Sequence, residues 1–266
     1  MSRPFVLIAA AIVAALAGFT AWRAWHTEPP ITPPVMATPS PPPVAPAPAT
    51  AAIQHPVEDA PLAATPAGAV PLDHSDATMR QALADVFAGH ALPAFLRVDR
   101  VIRNIVATID ALPRESVSPT VMPVNPAPGR MAVTAAGDAM AIAPENATRY
   151  TPYIDVLKAV DTRTLATVYL KNYPLFQQAY RELGYPQGYF NDRLVTVIDL
   201  MLATPDVQGP IALAQPKVVF TYADPALEAL PAGQKMLLRI GRDNATVVKA
   251  KLREFRAHIV RTPPPK

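Results

Sequence analysis

Asp192, Thr196 and Asp199 fall at i, i+4 and i+7. On a helix this spacing puts two carboxylates on one face, about 10 Å apart. That separation overlaps the upper end of the geometry used by inverting glycosidases. Acid–base chemistry, if present, would fall to Asp192 working with Glu182 or Asp199. Many solvated helices carry the same spacing. Helix capping by Asn191 or Asp192, with Arg193 pairing nearby, is the structural alternative.

A denser feature surrounds the first of these acids. Tyr169, Tyr173, Phe176, Tyr180, Tyr185, Tyr189 and Phe190 crowd into about 22 residues, interleaved with Gln177, Gln178, Glu182, Asn191, Asp192 and Arg193. Tyrosine joins an apolar ring to a polar tip, which suits a groove that stacks a sugar or peptide while hydrogen-bonding it. The candidate ligand-binding set is Tyr173, Gln177, Tyr180, Tyr185, Tyr189, Asn191, Asp192 and Arg193. The alternative is an ordinary core in which the hydroxyls find internal partners. Lys249, Arg253 and Arg256 form a basic stripe near the C-terminus. It would suit anionic lipid or cell-wall polymer, or simply a solvated face.

Other chemistries are poorly supplied. The chain has no cysteine, which removes disulfides, thiolate nucleophiles and lipoprotein acylation. His74, His90 and His258 have neither a helical partner histidine nor a ligand-spaced carboxylate, so no metal site is expected. Ser75, Ser116 and Ser118 sit in no nucleophile elbow. Gly184 and Gly188 are too isolated to cradle phosphate. No cofactor is expected. A net charge of +3 is too weak to argue for nucleic acid.

The elements that must position these residues read as mainly helical. A first helix capped by Asp73 or Ser75 buries Met79, Leu83, Val86 and Phe87, and Gly89 ends it. A second, about Pro93 to Leu112, buries Phe95, Val98, Ile102, Ile105, Ile109 and Leu112. Residues 131–142 suggest a small hairpin turning at Gly137-Asp138, and Ile211 to Tyr222 suggests further extended structure. Pro144 opens a helix burying Tyr153, Leu157 and Val160. Asp161 or Thr162 caps the next, and Pro174 kinks it or starts a fresh one. A helix from about Tyr189 to Ala203 stops at Thr204-Pro205. Asp224-Pro225 starts a helix that runs to Gly241, and Asp243 caps the last. The fold expected is mostly α, one multi-helix domain over residues 72–261 with at most two small β-hairpins and a disordered tail at 262–266.

Upstream, Phe5 to Trp22 is an apolar run of about 18 residues, reaching roughly 27 Å as a helix. Trp22 and Trp25 follow, where headgroups favour amphipathic rings. Residues 1–27 therefore read as a single transmembrane signal anchor. The rival is a cleavable signal peptide with its site at Ala15-Leu16-Ala17. From Glu28 to Pro71 the composition is proline, alanine and threonine, much of the chain's 33 prolines. Such a segment, 28–71, reads as a disordered linker that could stretch to roughly 130 Å. It serves as a plain tether, or alternatively as a ligand for a proline-recognition domain. The layout places the anchor in the bacterial inner membrane and the C-terminal domain in the periplasm.

The run from Tyr173 to Val195, YPLFQQAYRELGYPQGYFNDRLV, resembles the bacterial family catalogued as domain of unknown function 3014. Further similar stretches are Gln215 to Val218, Ala223 to Glu228 and Ala232 to Arg239. The likeness extends over about 73 to 258. It implies a proteobacterial envelope protein built as anchor, proline-rich linker and domain, and it implies no assigned activity. The function expected is a non-enzymatic module for an envelope glycan, peptide or protein partner. Alternatives are a carboxylate-dependent hydrolase of cell-wall material, or a scaffold acting through helix contacts of the anchor.

Overall fold

Apolar residues recurring every three to four positions dictate helices that must share one interior. In this computed structural model the described residues, 52–57, 71–87, 92–137, 139–216 and 218–260, include nine α-helices and a small antiparallel sheet. The helices are α1 (Ser75–Val86), α2 (Val101–Ala111), α3 (Thr151–Ala159), α4 (Thr162–Lys171), α5 (Tyr173–Glu182), α6 (Phe190–Leu202), α7 (Pro225–Glu228), α8 (Ala232–Arg239) and α9 (Arg242–Ile259). The protein is mostly α.

The long α9 packs against α3, α4, α6 and α8, while α2 packs against α1, α5 and α6. Between them lies one large core that includes Leu83, Ile102, Leu157, Tyr173, Phe190, Leu237 and Val248. Each such side chain removed from water is worth about 1.5–3 kcal/mol. The interior therefore sets the arrangement of helices whose own propensities are modest.

Several boundaries follow local chemistry. The Asp161 carboxylate accepts the Thr164 N–H at 2.7 Å and caps α4. Pro174 sits in the first turn of α5, where its missing N–H removes no helical bond. Asp224 Oδ1 accepts the Ala226 N–H at 2.8 Å and caps α7.

Elsewhere the expected elements are corrected. The helix expected from Pro93 begins only at Val101. Arg100 adopts a left-handed φ of 51°, and the Asp76 carboxylate accepts the N–H groups of Arg100 (2.6 Å) and Val101 (3.2 Å). The cap for α2 therefore comes from a different helix. Phe95 and Leu96 instead lie along residues 123–125, with Asn125 N–H donating to the Phe95 carbonyl at 2.7 Å. The helix expected between Asp224 and Gly241 is two, α7 and α8, with Pro231 at the start of the second. Asp243 lies in the first turn of α9 and makes no capping bond; the N-cap position is Gly241.

The two extended regions join. Strands β1 (Val133–Ala136), β2 (Ala139–Ile142), β3 (Ala212–Ala214) and β4 (Thr221–Tyr222) form one antiparallel meander in order 1-2-3-4. Met140 pairs with Leu213, and Leu213 with Tyr222. Leu213, Tyr222 and Leu238 centre a second, smaller core beneath this sheet.

No helix among the described residues is long and apolar enough to cross a membrane. The expected anchor at 5–22, the tail at 262–266 and most of the expected linker lie outside the described residues, as do Gly89, His90 and Asp138. One stretch inside the expected linker is described, and it is not a free tether. Residues 52–57 run along the domain with Ile53, His55 and Val57 half-buried and Ala52, Gln54 and Pro56 exposed. The alternate residues face the domain, and the chain bends at Gln54 and His55.

Candidate functional site

The aromatic segment folds as the end of α4, α5, a glycine-bearing loop at 184–189, and the start of α6. Its tyrosines point inward. Tyr173 is fully buried, and Tyr169, Tyr180 and Tyr189 are 6–8% exposed. Their rings pack on one another: Tyr169 edge-on to Tyr173 at 5.7 Å, and Tyr180 stacked on Tyr185 at 4.6 Å. Gly188 permits this, because a Cβ there would lie 2.7 Å from the Tyr180 ring.

Gln177 is the hub that closes the loop. Its Oε1 accepts the Tyr173 hydroxyl at 2.9 Å and the Phe190 N–H at 2.8 Å, and its Nε2 donates to the Gly188 carbonyl at 2.7 Å. Burial pushes the Tyr173 and Tyr169 hydroxyls far above the ordinary tyrosine range, and that of Tyr180 upward. They act as fixed neutral dipoles, not as bases. Of the expected ligand-binding set, Tyr173, Gln177 and Tyr180 therefore form interior structure rather than an open groove.

Tyr189, Asn191 and Asp192 do converge, on the chain's own residues 54–57. Asp192 accepts the N–H of Gln54 at 2.9 Å and that of His55 at 2.7 Å. The Tyr189 hydroxyl accepts the Val57 N–H at 2.7 Å. Asn191 Nδ2 donates to the His55 carbonyl at 2.9 Å and to the Ile259 carbonyl at 3.2 Å, while its Oδ1 accepts the Tyr169 hydroxyl at 3.0 Å. Pro56, which lacks an N–H, falls where none is used, and it biases His55 toward extended backbone. Every one of these strap hydrogen bonds is to main chain, while the Ile53 and Val57 side chains pack against the core.

Tyr185 and Arg193 meet a carboxylate that sequence reasoning missed. Asp110 on α2 is 2% exposed in its side chain and pairs with Arg114 and, at 3.0 Å, with Arg193. The Tyr185 hydroxyl donates to Asp110 Oδ2 at 3.1 Å, and Arg193 also donates to the Asp110 carbonyl at 2.9 Å. Asp110 Oδ1 and Arg193 Nε make no hydrogen bond of good geometry. The contact between Asp110 Oδ1 and Arg193 is thus an ion pair lying off the hydrogen-bonding direction. Asp110 sits in a run of apolar residues on α2, a pattern that signals a buried face and hides the acid on it.

The three acids considered for catalysis each have a different partner. Glu182 pairs with Arg103 and accepts from Gln178 at 2.9 Å. Asp199 holds Arg256 through two bonds of 2.7 and 2.9 Å. Asp192 holds the strap. The basic stripe is divided too: Arg256 is paired with Asp199, and Lys249 Nζ lies against the Thr204 carbonyl. Among the described residues no group of His, Asp and Glu is arranged to hold a metal ion.

Residues 101–256 match the family described as Protein of unknown function (DUF3014). The chain belongs to the DUF3014 family. The match begins at the first residue of α2 and ends within α9. It thus includes Tyr189, Asn191 and Asp192, and leaves out both α1 and the strap at 52–57. No curated protein and no solved structure matches the chain.

Proposed function

We propose that this protein is a non-enzymatic binding module, held at the bacterial inner membrane by residues 5–22 with its domain in the periplasm. Its site is the start of α6, where Tyr189, Asn191 and Asp192 bind a short polypeptide segment by its main chain. One observation carries this reading: those three residues already hold residues 54–57 through hydrogen bonds to their main chain. A carboxylate that accepts the successive N–H groups of Gln54 and His55, beside an amide that donates to the His55 carbonyl, fits a chain that bends at these two residues. Recognition of main chain gives affinity without demanding one sequence.

The buried tyrosine rings favour a peptide over a glycan, because a sugar needs an exposed face to stack on. The separate engagement of Glu182, Asp192 and Asp199 speaks against a hydrolase built on them. The apolar run, the proline-rich segment and the absence of cysteine support the envelope location.

The test is binding in trans. Gln54→Pro with Val57→Pro in the full chain removes two of the N–H donors and releases the strap. A fluorescent peptide of residues 50–60 is then added to this variant and to the unmodified chain. Saturable binding to the variant, at least tenfold weaker to the unmodified chain, is the expected result. No binding to the correctly folded variant would reject the proposal.

A further inference from the structure

The interior of the helical domain is not filled. A cavity of about 100 Å³ lies where α1, α2, α4, α5, α6 and α9 converge. Native interiors hold few voids larger than a water molecule, and this one is several times the volume of one, whose share of the liquid is about 30 Å³. Water gains nothing there, since it needs two to four polar partners. Among the lining side chains the only hydroxyl is that of Tyr169, and it is already donated to Asn191 Oδ1 at 3.0 Å. An apolar cavity half as large again, roughly 150 Å³ in the best-studied case, stays dry and accepts benzene.

The walls suit a guest. Met79 and Met201 supply flexible, polarizable thioethers that adjust to shape. Phe176 and Phe190 add ring faces. Two lining residues, Ile105 on α2 and Val168 on α4, are half-exposed while the others are buried. The chamber therefore approaches the surface beside these two positions, which gives a guest a route in.

We propose that this chamber is a binding site for an uncharged hydrocarbon group, either a free apolar molecule with a single ring or a segment of alkyl chain. It adjoins the peptide surface at the start of α6 through Tyr169 and Phe190, and does not rest on that reading. Charged and hydrogen-bonding ligands are excluded, because no wall atom is free to receive them.

The full chain in lipid nanodiscs, with ¹³C-methyl methionine, is equilibrated with toluene vapour or n-hexane vapour. A fixed vapour pressure sets the ligand activity whatever partitions into the lipid. Saturable shifts of the Met79 and Met201 methyl signals are expected. Met131 and Met140, which pack in the smaller core under the sheet, should stay fixed. A response to toluene alone assigns a ring, and a response to hexane alone assigns a chain. Leu194→Phe, which fills the chamber, should weaken the response at least tenfold; Val197→Ile is the milder substitute if Leu194→Phe does not fold. No shift with either vapour, or equal shifts at all four methionines, overturns the proposal.

Discussion

Asp192 Oδ1 accepts the backbone N–H of His55 at 2.7 Å, across 137 positions of sequence. The acid that spacing alone offers as half of a catalytic pair is instead the clasp of an N-terminal strap. A hydrogen bond to an ionised group is worth about 1.5–3 kcal/mol. Asp192→Ala should therefore free the strap without unfolding the domain. Hydrogen exchange at the amides of Gln54, His55 and Val57 is expected to rise at least tenfold, with α2 and α6 protected as before. Unchanged protection would show that Ile53 and Val57, packed on the core, hold the strap by themselves.

Asn191 behaves differently because it is fully buried and its amide serves both strap and core. Asn191→Ala leaves the Tyr169 hydroxyl and the Ile259 carbonyl without their partner. Each buried polar group stranded in this way costs about 1–3 kcal/mol. Urea denaturation should show a loss of about 2–4 kcal/mol, and the variant should lose strap protection and global stability together.

Asp110 tests the missed cluster. Removing one partner of a buried ion pair costs about 3–5 kcal/mol. Arg114 is 59% exposed and Arg193 27%, so water takes over part of the solvation of both. Asp110→Asn should destabilise the domain by about 2–3 kcal/mol. A double-mutant cycle with Arg193→Met should return a coupling above 0.5 kcal/mol. Additive effects would mean that the pair contributes nothing.

Gly188→Ala should loosen the aromatic loop. The added methyl would meet the Tyr180 ring at 2.7 Å and Tyr185 Cβ at 3.0 Å. Overpacking of this kind costs about 1–3 kcal/mol. The expected readouts are a lower thermal midpoint and a reduced near-ultraviolet circular dichroism signal from the stacked tyrosines.

Acid should weaken the start of α4. Hydrogen bonds from Thr164 hold the Asp161 carboxyl below its ordinary range, and one from the Thr162 hydroxyl at 2.7 Å does the same for Glu254. A carboxyl depressed in the folded state adds stability that is fully present above its unfolded value, near pH 4. That stability is lost as pH falls through the folded value. Stability should therefore drop below about pH 4. The double variant Asp161→Asn with Glu254→Gln should show a shallower drop in denaturation midpoints measured from pH 5 to 2. Asparagine keeps the capping bond, so the difference reports titration and not loss of the cap.

What the sequence determined by itself is local. Helical spacing, the caps at Asp161 and Asp224, and the restart at Pro174 record forces that act within one or two turns of chain, and these place most helices of a mostly α domain. The resemblance carried by Tyr173 to Val195 likewise names the family. Pattern misleads where a partner is remote. The Asp76 carboxylate starts α2 from another helix, so Phe95 and Val98 keep a helical rhythm without being helical. A strand of two or three residues says nothing of its neighbour, so β2 and β3 join unannounced. Tyrosine's double character leaves open whether its ring meets solvent or the core; only the packing of α5 and α6 turned Tyr173 and Tyr180 inward. Nor does a proline-rich stretch announce that Gln54 and His55 dock on Asp192. Burial and charge pairing depend on distances between segments far apart in the chain, and those distances exist only once the tertiary structure has formed.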